Sequence, residues 1–82
     1  MNDLPPNTKS KQDEYEYRVE PLAVETLTNL LRLEGVITVW DGTWIVFTSN
    51  RLLNMRRLKG LGIIRSYTIL KVLQKNEIIE EG

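Results

Sequence analysis

The chain has 82 residues, with 11 lysines and arginines against 11 aspartates and glutamates and neither cysteine nor histidine. That length allows one small domain, which buries only about 60% of the surface its unfolded form exposes. Without cysteine or histidine there is no disulfide staple, no Cys- or His-ligated metal, no thiol nucleophile and no imidazole base.

Residues 1–13, "MNDLPPNTKSKQD", hold Met1 and Leu4 as their large apolar residues and a Pro-Pro pair, the composition of a disordered lead-in. Residues 14–82 are expected to form a single domain. "EYEYRVE" alternates, with Tyr15, Tyr17 and Val19 on one face and Glu14, Glu16, Arg18 and Glu20 on the other, which predicts a half-buried strand over 14–20. Pro21 suits a first helical turn, and Ala23, Leu27, Leu30 and Leu31 recur at helical spacing up to Gly35, so a helix is predicted over 21–34.

"VITVWDGTWIVFTS" predicts a hairpin over 36–48 turning at Asp41-Gly42. One face carries Trp40, Ile45 and Phe47, and the other carries Val39, Trp44 and Val46. Both faces are apolar, so one is expected to meet the helices and the other a partner. "SNRLLNMRRLKG" predicts a helix over 50–59, capped by Ser49 or Asn50 and stopped near Gly60. "GIIRSYTILKVL" reads as a strand over 63–73, returning through Lys75-Asn76 onto "EIIEE"; it reads equally as a helix over 66–75 capped by Ser66.

The strand reading gives the order β-α-β-β-α-β, which resembles the ferredoxin-like two-layer α+β sandwich. The helix reading makes "LGIIRSYTILKVLQKNEIIEEG" similar to the end of a winged helix, with helices at 50–59 and 66–75. The sandwich is the favoured expectation. No apolar run approaches the roughly 18 residues of a membrane span and the N-terminus is polar, so a cytoplasmic protein without membrane contact is expected.

Little catalytic chemistry is available. Ser10, Ser49 and Ser66 lie in no G-x-S-x-G elbow, and "GLG" at 60–62 is no phosphate loop. Glu34 and Asp41 could approach as a carboxylate pair at the helix end and hairpin tip, and a helix-end acid with a turn aspartate is the plainer reading. No catalytic residue, metal, cofactor or small-molecule substrate is expected.

The functional lead is charge order along the chain. Residues 1–20 carry −2, 21–48 carry −2, and 77–82 carry −3. Residues 49–76 carry Arg51, Arg56, Arg57, Lys59, Arg65, Lys71 and Lys75 with no acid, a balance of +7. Cations at a helix end complement its dipole, but a solvated face ordinarily mixes signs. The leading expectation is nucleic-acid binding, with Arg56, Arg57, Lys59 and Arg65 on phosphates and Arg51, Lys71 and Lys75 in support. It requires the seven to share one face. The rival expectation is a protein-interaction module (an adaptor, regulator or inhibitor) acting through the apolar hairpin face 36–48. Trp40, Trp44, Ile45 and Phe47 form the expected self-association or partner face, which suits a homodimer that completes a small core.

Overall fold

The computed structural model describes residues 13–72 and 74–82, with the side chains of 74–76 outside that description. The expected disordered lead-in therefore lies, Asp13 apart, outside the described residues. The domain is α+β: β1 (Tyr15–Pro21), α1 (Val24–Leu33), β2 (Val39–Asp41), β3 (Trp44–Ser49), α2 (Met55–Gly60), β4 (Ile64–Lys71) and β5 (Gln74–Glu81). The five strands form one antiparallel sheet in the order β2-β3-β1-β4-β5.

Period-two alternation in β1 sends Tyr17 and Val19 inward, and the register aligns Tyr17 with Phe47 and Ile69, and Val19 with Ile45 and Tyr67. These six side chains are buried with Ile64 from β4, Leu27 and Leu31 from α1, and Met55 from α2. Both helices thus contribute to a core on one face of the sheet. The other face presents Glu16, Arg18 and Glu20 from the central strand, and no helix residue of the buried core lies on it.

The first helix starts later than its periodicity predicts. Pro21 stays in β1, opposite Ile64 at a register shift, where its missing N–H costs no ladder bond. The amides of Leu22 and Ala23 both donate to the Ile63 carbonyl, at 2.9 and 3.0 Å, which carries the chain off the sheet before helix can begin. The C-terminus is as expected. The Val36 amide bonds the Leu31 carbonyl at 3.0 Å and the Gly35 amide bonds that of Arg32 at 2.9 Å, with Gly35 at φ +76°. That is a Schellman motif, and it needs a left-handed residue.

The second helix ends in the same motif. Ile63 bonds back to Leu58 at 3.0 Å and Gly62 to Lys59 at 3.1 Å, so Gly62 rather than Gly60 supplies the positive φ, at +78°. Its start corrects the predicted 50–59 boundary. The cap is Asn54, whose side-chain oxygen accepts the Arg57 amide at 3.1 Å. Residues 51–53 are held out of the helix by Tyr17, whose hydroxyl donates to the Arg51 carbonyl at 2.9 Å and accepts the Leu53 amide at 2.8 Å.

The hairpin turns one residue later than predicted. Asp41 pairs with Trp44 and Trp40 with Ile45, so the loop is Gly42-Thr43 with Gly42 at φ +68°. Each pairing slides by two residues, which keeps every side chain on its expected face. The paired part of β2 is also shorter than predicted, beginning at Val39.

The winged-helix alternative is corrected. Residues 64–71, which overlap the proposed 66–75 helix, are strand β4, paired with β1 on one side and β5 on the other. Two waiting partner strands reward the β-branched residues of this segment more than an isolated turn of helix does. β5 begins at Gln74, so the return comes before the expected Lys75-Asn76 turn.

Candidate interaction surfaces

The basic block spans the loop before α2, α2, β4 and the start of β5. Folding brings it acids from other parts of the chain. Arg51 pairs with Glu34 at the end of α1. Arg56 reaches Glu80 of β5 at 3.2 Å, Arg65 lies 3.9 Å from Glu20 of β1, and Lys71 lies 3.6 Å from Asp13. These pairs are largely solvent-facing and each contributes on the order of 0–1 kcal/mol. Their effect is on the field the surface presents.

Arg65 is the extra residue where the β1–β4 register shifts, since Ile64 faces Pro21 and Ser66 faces Glu20. It and Lys71 sit six residues apart on one strand, about 20 Å at strand rise. The Lys75 side chain lies outside the description. Among the described residues, Arg57 and Lys59 have no carboxylate within ion-pair distance.

Arg56 belongs to a small network. The Tyr67 hydroxyl donates to Glu80 Oε2 at 2.7 Å, and the Arg56 guanidinium donates to the same oxygen. The Glu80 carboxylate raises the Tyr67 phenol above the ordinary tyrosine range, with burial adding. The Tyr67 hydroxyl, and then Glu80, hold Arg56 more firmly charged.

Beside α2 lies a second feature. The end of α1, the segment before α2 and one side of α2 flank a largely apolar groove of about 380 Å³, lined by Leu30, Leu31, Leu33, Leu53, Leu58 and Leu61 with Glu34 and Arg57 among them. Leu33 and Leu61 are 84% and 62% exposed. Leu33 is the last residue of α1, two before Gly35, and Leu61 is the C-cap of α2, directly before Gly62, so each Schellman turn leaves its leucine outside the core. Sequence reasoning noted the α1 stripe but missed this groove. The available signal was a leucine within two residues of each glycine stop that the core stripe does not need.

The hairpin residues separate. Ile45 and Phe47 are buried under the helices, at 0% and 3% exposure. Trp40 shares their face but lies on edge strand β2, beyond the helices, and is 52% exposed. Trp44 is half-buried on the open face opposite Asp41. The two carboxylates considered as a pair are held by different cations, Glu34 by Arg51 and Asp41 by Arg18 at 3.5 Å.

Among the described residues no cluster of acids could hold a metal ion, and no helix is long and apolar enough to cross a membrane. No protein-family model, curated protein or solved structure matches the chain.

Proposed function

We propose that this chain is a small non-catalytic protein-interaction module, and that its groove between α1 and α2 receives a helix of another protein that is apolar on one side and acidic on the other. We read its scaffold as a ferredoxin-like sandwich with one added strand, supported by the strand order β2-β3-β1-β4, the β-α-β-β-α-β succession and the packing of both helices on one face.

The observation that carries the function is the groove's composition. Six leucines offer the kind of ridge that takes apolar anchors at helical spacing. Two charged residues line the same groove: Glu34, which is taken up by Arg51, and Arg57, which among the described residues has no carboxylate within ion-pair distance. An incoming acid would complete that charge, and opposite charges at a rim favour encounter and orientation.

A photo-crosslinking residue at position 61 tests this, with a control at Thr68 on the open face. A protein adduct formed from position 61, absent from 68 and lost in Arg57→Glu, is the expected outcome. Equal labelling from both positions overturns it.

The second reading is nucleic-acid binding through α2. It is favoured by Arg57 and Lys59 lacking acid partners and by Arg56 standing 81% exposed beside them. Fluorescence anisotropy of labelled single- and double-stranded oligonucleotides separates the two. Binding at low salt that disappears in the Arg57→Ala/Lys59→Ala variant selects the nucleic acid.

A further inference from the structure

The strand order leaves the sheet with two edges, β2 and β5, and the two are built differently. An open edge is a row of unpaired backbone groups, and proteins that must stay single protect it with charge, proline or bulges. β5 is protected. Its ladder to β4 has two register shifts, and Glu77, Glu80 and Glu81 fall within five residues. Pairing β5 with itself would crowd these carboxylates at about the 5 Å spacing of neighbouring strands.

The β2 edge carries a single charge, Asp41 at its turn end, and neither proline nor a register shift in its ladder to β3. Val36 to Thr38, which lead into the strand, and Val39 and Trp40 within it are all β-branched or aromatic. Ile37 is 85% exposed and Val39 61%. A largely apolar recess of about 510 Å³ opens beside them, lined by Ile37, Val39, Trp40, Val46 and Phe47 with Asp41 and Thr48 at its polar side. The β2–β3 pairing also stops at Val39–Val46, although β3 continues to Ser49 and stays paired with β1 to that residue.

We propose that a second copy of this chain occupies this edge, β2 antiparallel to β2 across a two-fold axis, so that two five-stranded sheets continue as one. The arrangement is self-complementary. Centred on Val39, it sets Val39 against its own mate, Thr38 against Trp40, and Ile37 against Asp41. Asp41 is the one charge involved, and it is already paired with Arg18 in its own chain. The two copies of Asp41 fall at opposite ends of the contact, about 13 Å apart at strand rise. That exceeds the screening length of about 8 Å at physiological salt. The interface is isologous and closed, so assembly stops at two.

This proposal uses residues distinct from the helix groove and stands or falls separately from it. Its test is sedimentation velocity of the full chain from low to high micromolar concentration. The expected species is a dimer of about 19 kDa, twice the 9.5 kDa chain. Val39→Lys and, separately, Thr38→Lys should each weaken dimerisation at least ten-fold, while Ile78→Lys on the β5 edge leaves it unchanged. Circular dichroism confirms that each variant is folded, and two β2 variants guard against one failing to fold. A wild-type monomer at the highest concentration, open-ended oligomers, or a dimer that survives both β2 substitutions overturns the proposal.

Discussion

Replacing Tyr17 by phenylalanine removes one oxygen and leaves the packing of the core in place. The ring is fully buried and stacked on Phe47, with centroids 4.7 Å apart and planes 5° from parallel, contacts that phenylalanine reproduces. The hydroxyl is what ties the segment before α2 to the sheet, through the Arg51 carbonyl and the Leu53 amide. A typical hydrogen bond contributes about 1 kcal/mol net, and a buried group left unpaired costs about 1–3 kcal/mol. Arg51 is exposed and Leu53 half-buried, so water reaches part of this segment. The two bonds together are therefore expected to be worth about 1–3 kcal/mol, on the order of 5–20 °C in Tm for a domain of this size.

The loss should also be local. Amide exchange should rise at Leu53 and through α2 more than in α1, because Asn54 caps α2 from the end of the released segment. A Tm within about 2 °C of the parent, or an exchange increase spread evenly over the domain, refutes the reasoning.

The same hydroxyl carries a pH signature. Burial raises the Tyr17 phenol above its ordinary value of 10.0, outweighing the Leu53 amide that lowers it. Tyr67 is raised as well, first by Glu80. Above about pH 10 the unfolded chain releases these protons while the folded chain keeps them, so the unfolded state binds fewer. The stability these groups contribute is complete below that pH and falls as pH rises through it. Tyr17→Phe should make that alkaline fall shallower in a series of denaturant melts.

The remaining predictions concern the elements that hold the groove and the core. Asn54→Ala removes the α2 cap and should cost about 0.5–2 kcal/mol by urea melt. Gly62→Ala and Gly60→Ala should differ in sign. The first forces a side chain onto φ +78° and should cost roughly 1–2 kcal/mol, and the second sits in the last helical turn with open space around it and should stabilise by up to about 1 kcal/mol. Leu27→Ala should cost about 2–5 kcal/mol from a fully buried position, and Trp44→Ala should cost less than the 3–5 kcal/mol typical of a buried aromatic, because Trp44 is half-buried.

Those parts of the fold set by near neighbours were legible in the sequence. The apolar spacing of Leu27 and Leu31 and the glycine at 35 suffice for α1 and its stop, and alternation suffices for β1. The parts that went astray depend on contacts distant along the chain. Whether 64–71 is strand or helix is decided by β1 and β5 lying on either side, which periodicity within the segment does not register. The late start of α2 is decided by a tyrosine 36 residues before Leu53. Pro21 reads locally as a helix start, yet a register shift opposite Ile64 makes it a strand end. At the candidate site, the cations were visible and their partners were not, because Asp13, Glu20, Glu34 and Glu80 all lie outside residues 49–76.

That last point bears on function. In an antiparallel sheet, lateral neighbours come from distant parts of the sequence. β4, from the basic block, lies between β1, with Glu16 and Glu20, and β5, with Glu77, Glu80 and Glu81. Charge sorted along the chain is thereby interleaved in space, and the cations left without acid partners among the described residues are on the helical layer, beside the leucine groove. The consequence is measurable even if a nucleic acid binds. Each phosphate neutralised contributes about −0.9 to the slope of log affinity against log salt on duplex DNA. An interface engaging all seven cations of the block would give a slope of about −6, whereas one confined to Arg56, Arg57 and Lys59 would give about −2 to −3. A slope near −6 would mean that the ion pairs to Glu20, Glu34, Glu80 and Asp13 open on binding, and the groove would then lose its claim as the principal site. A slope of −3 or shallower keeps contact on α2, where an acidic helix competes for the same arginine and should displace the oligonucleotide.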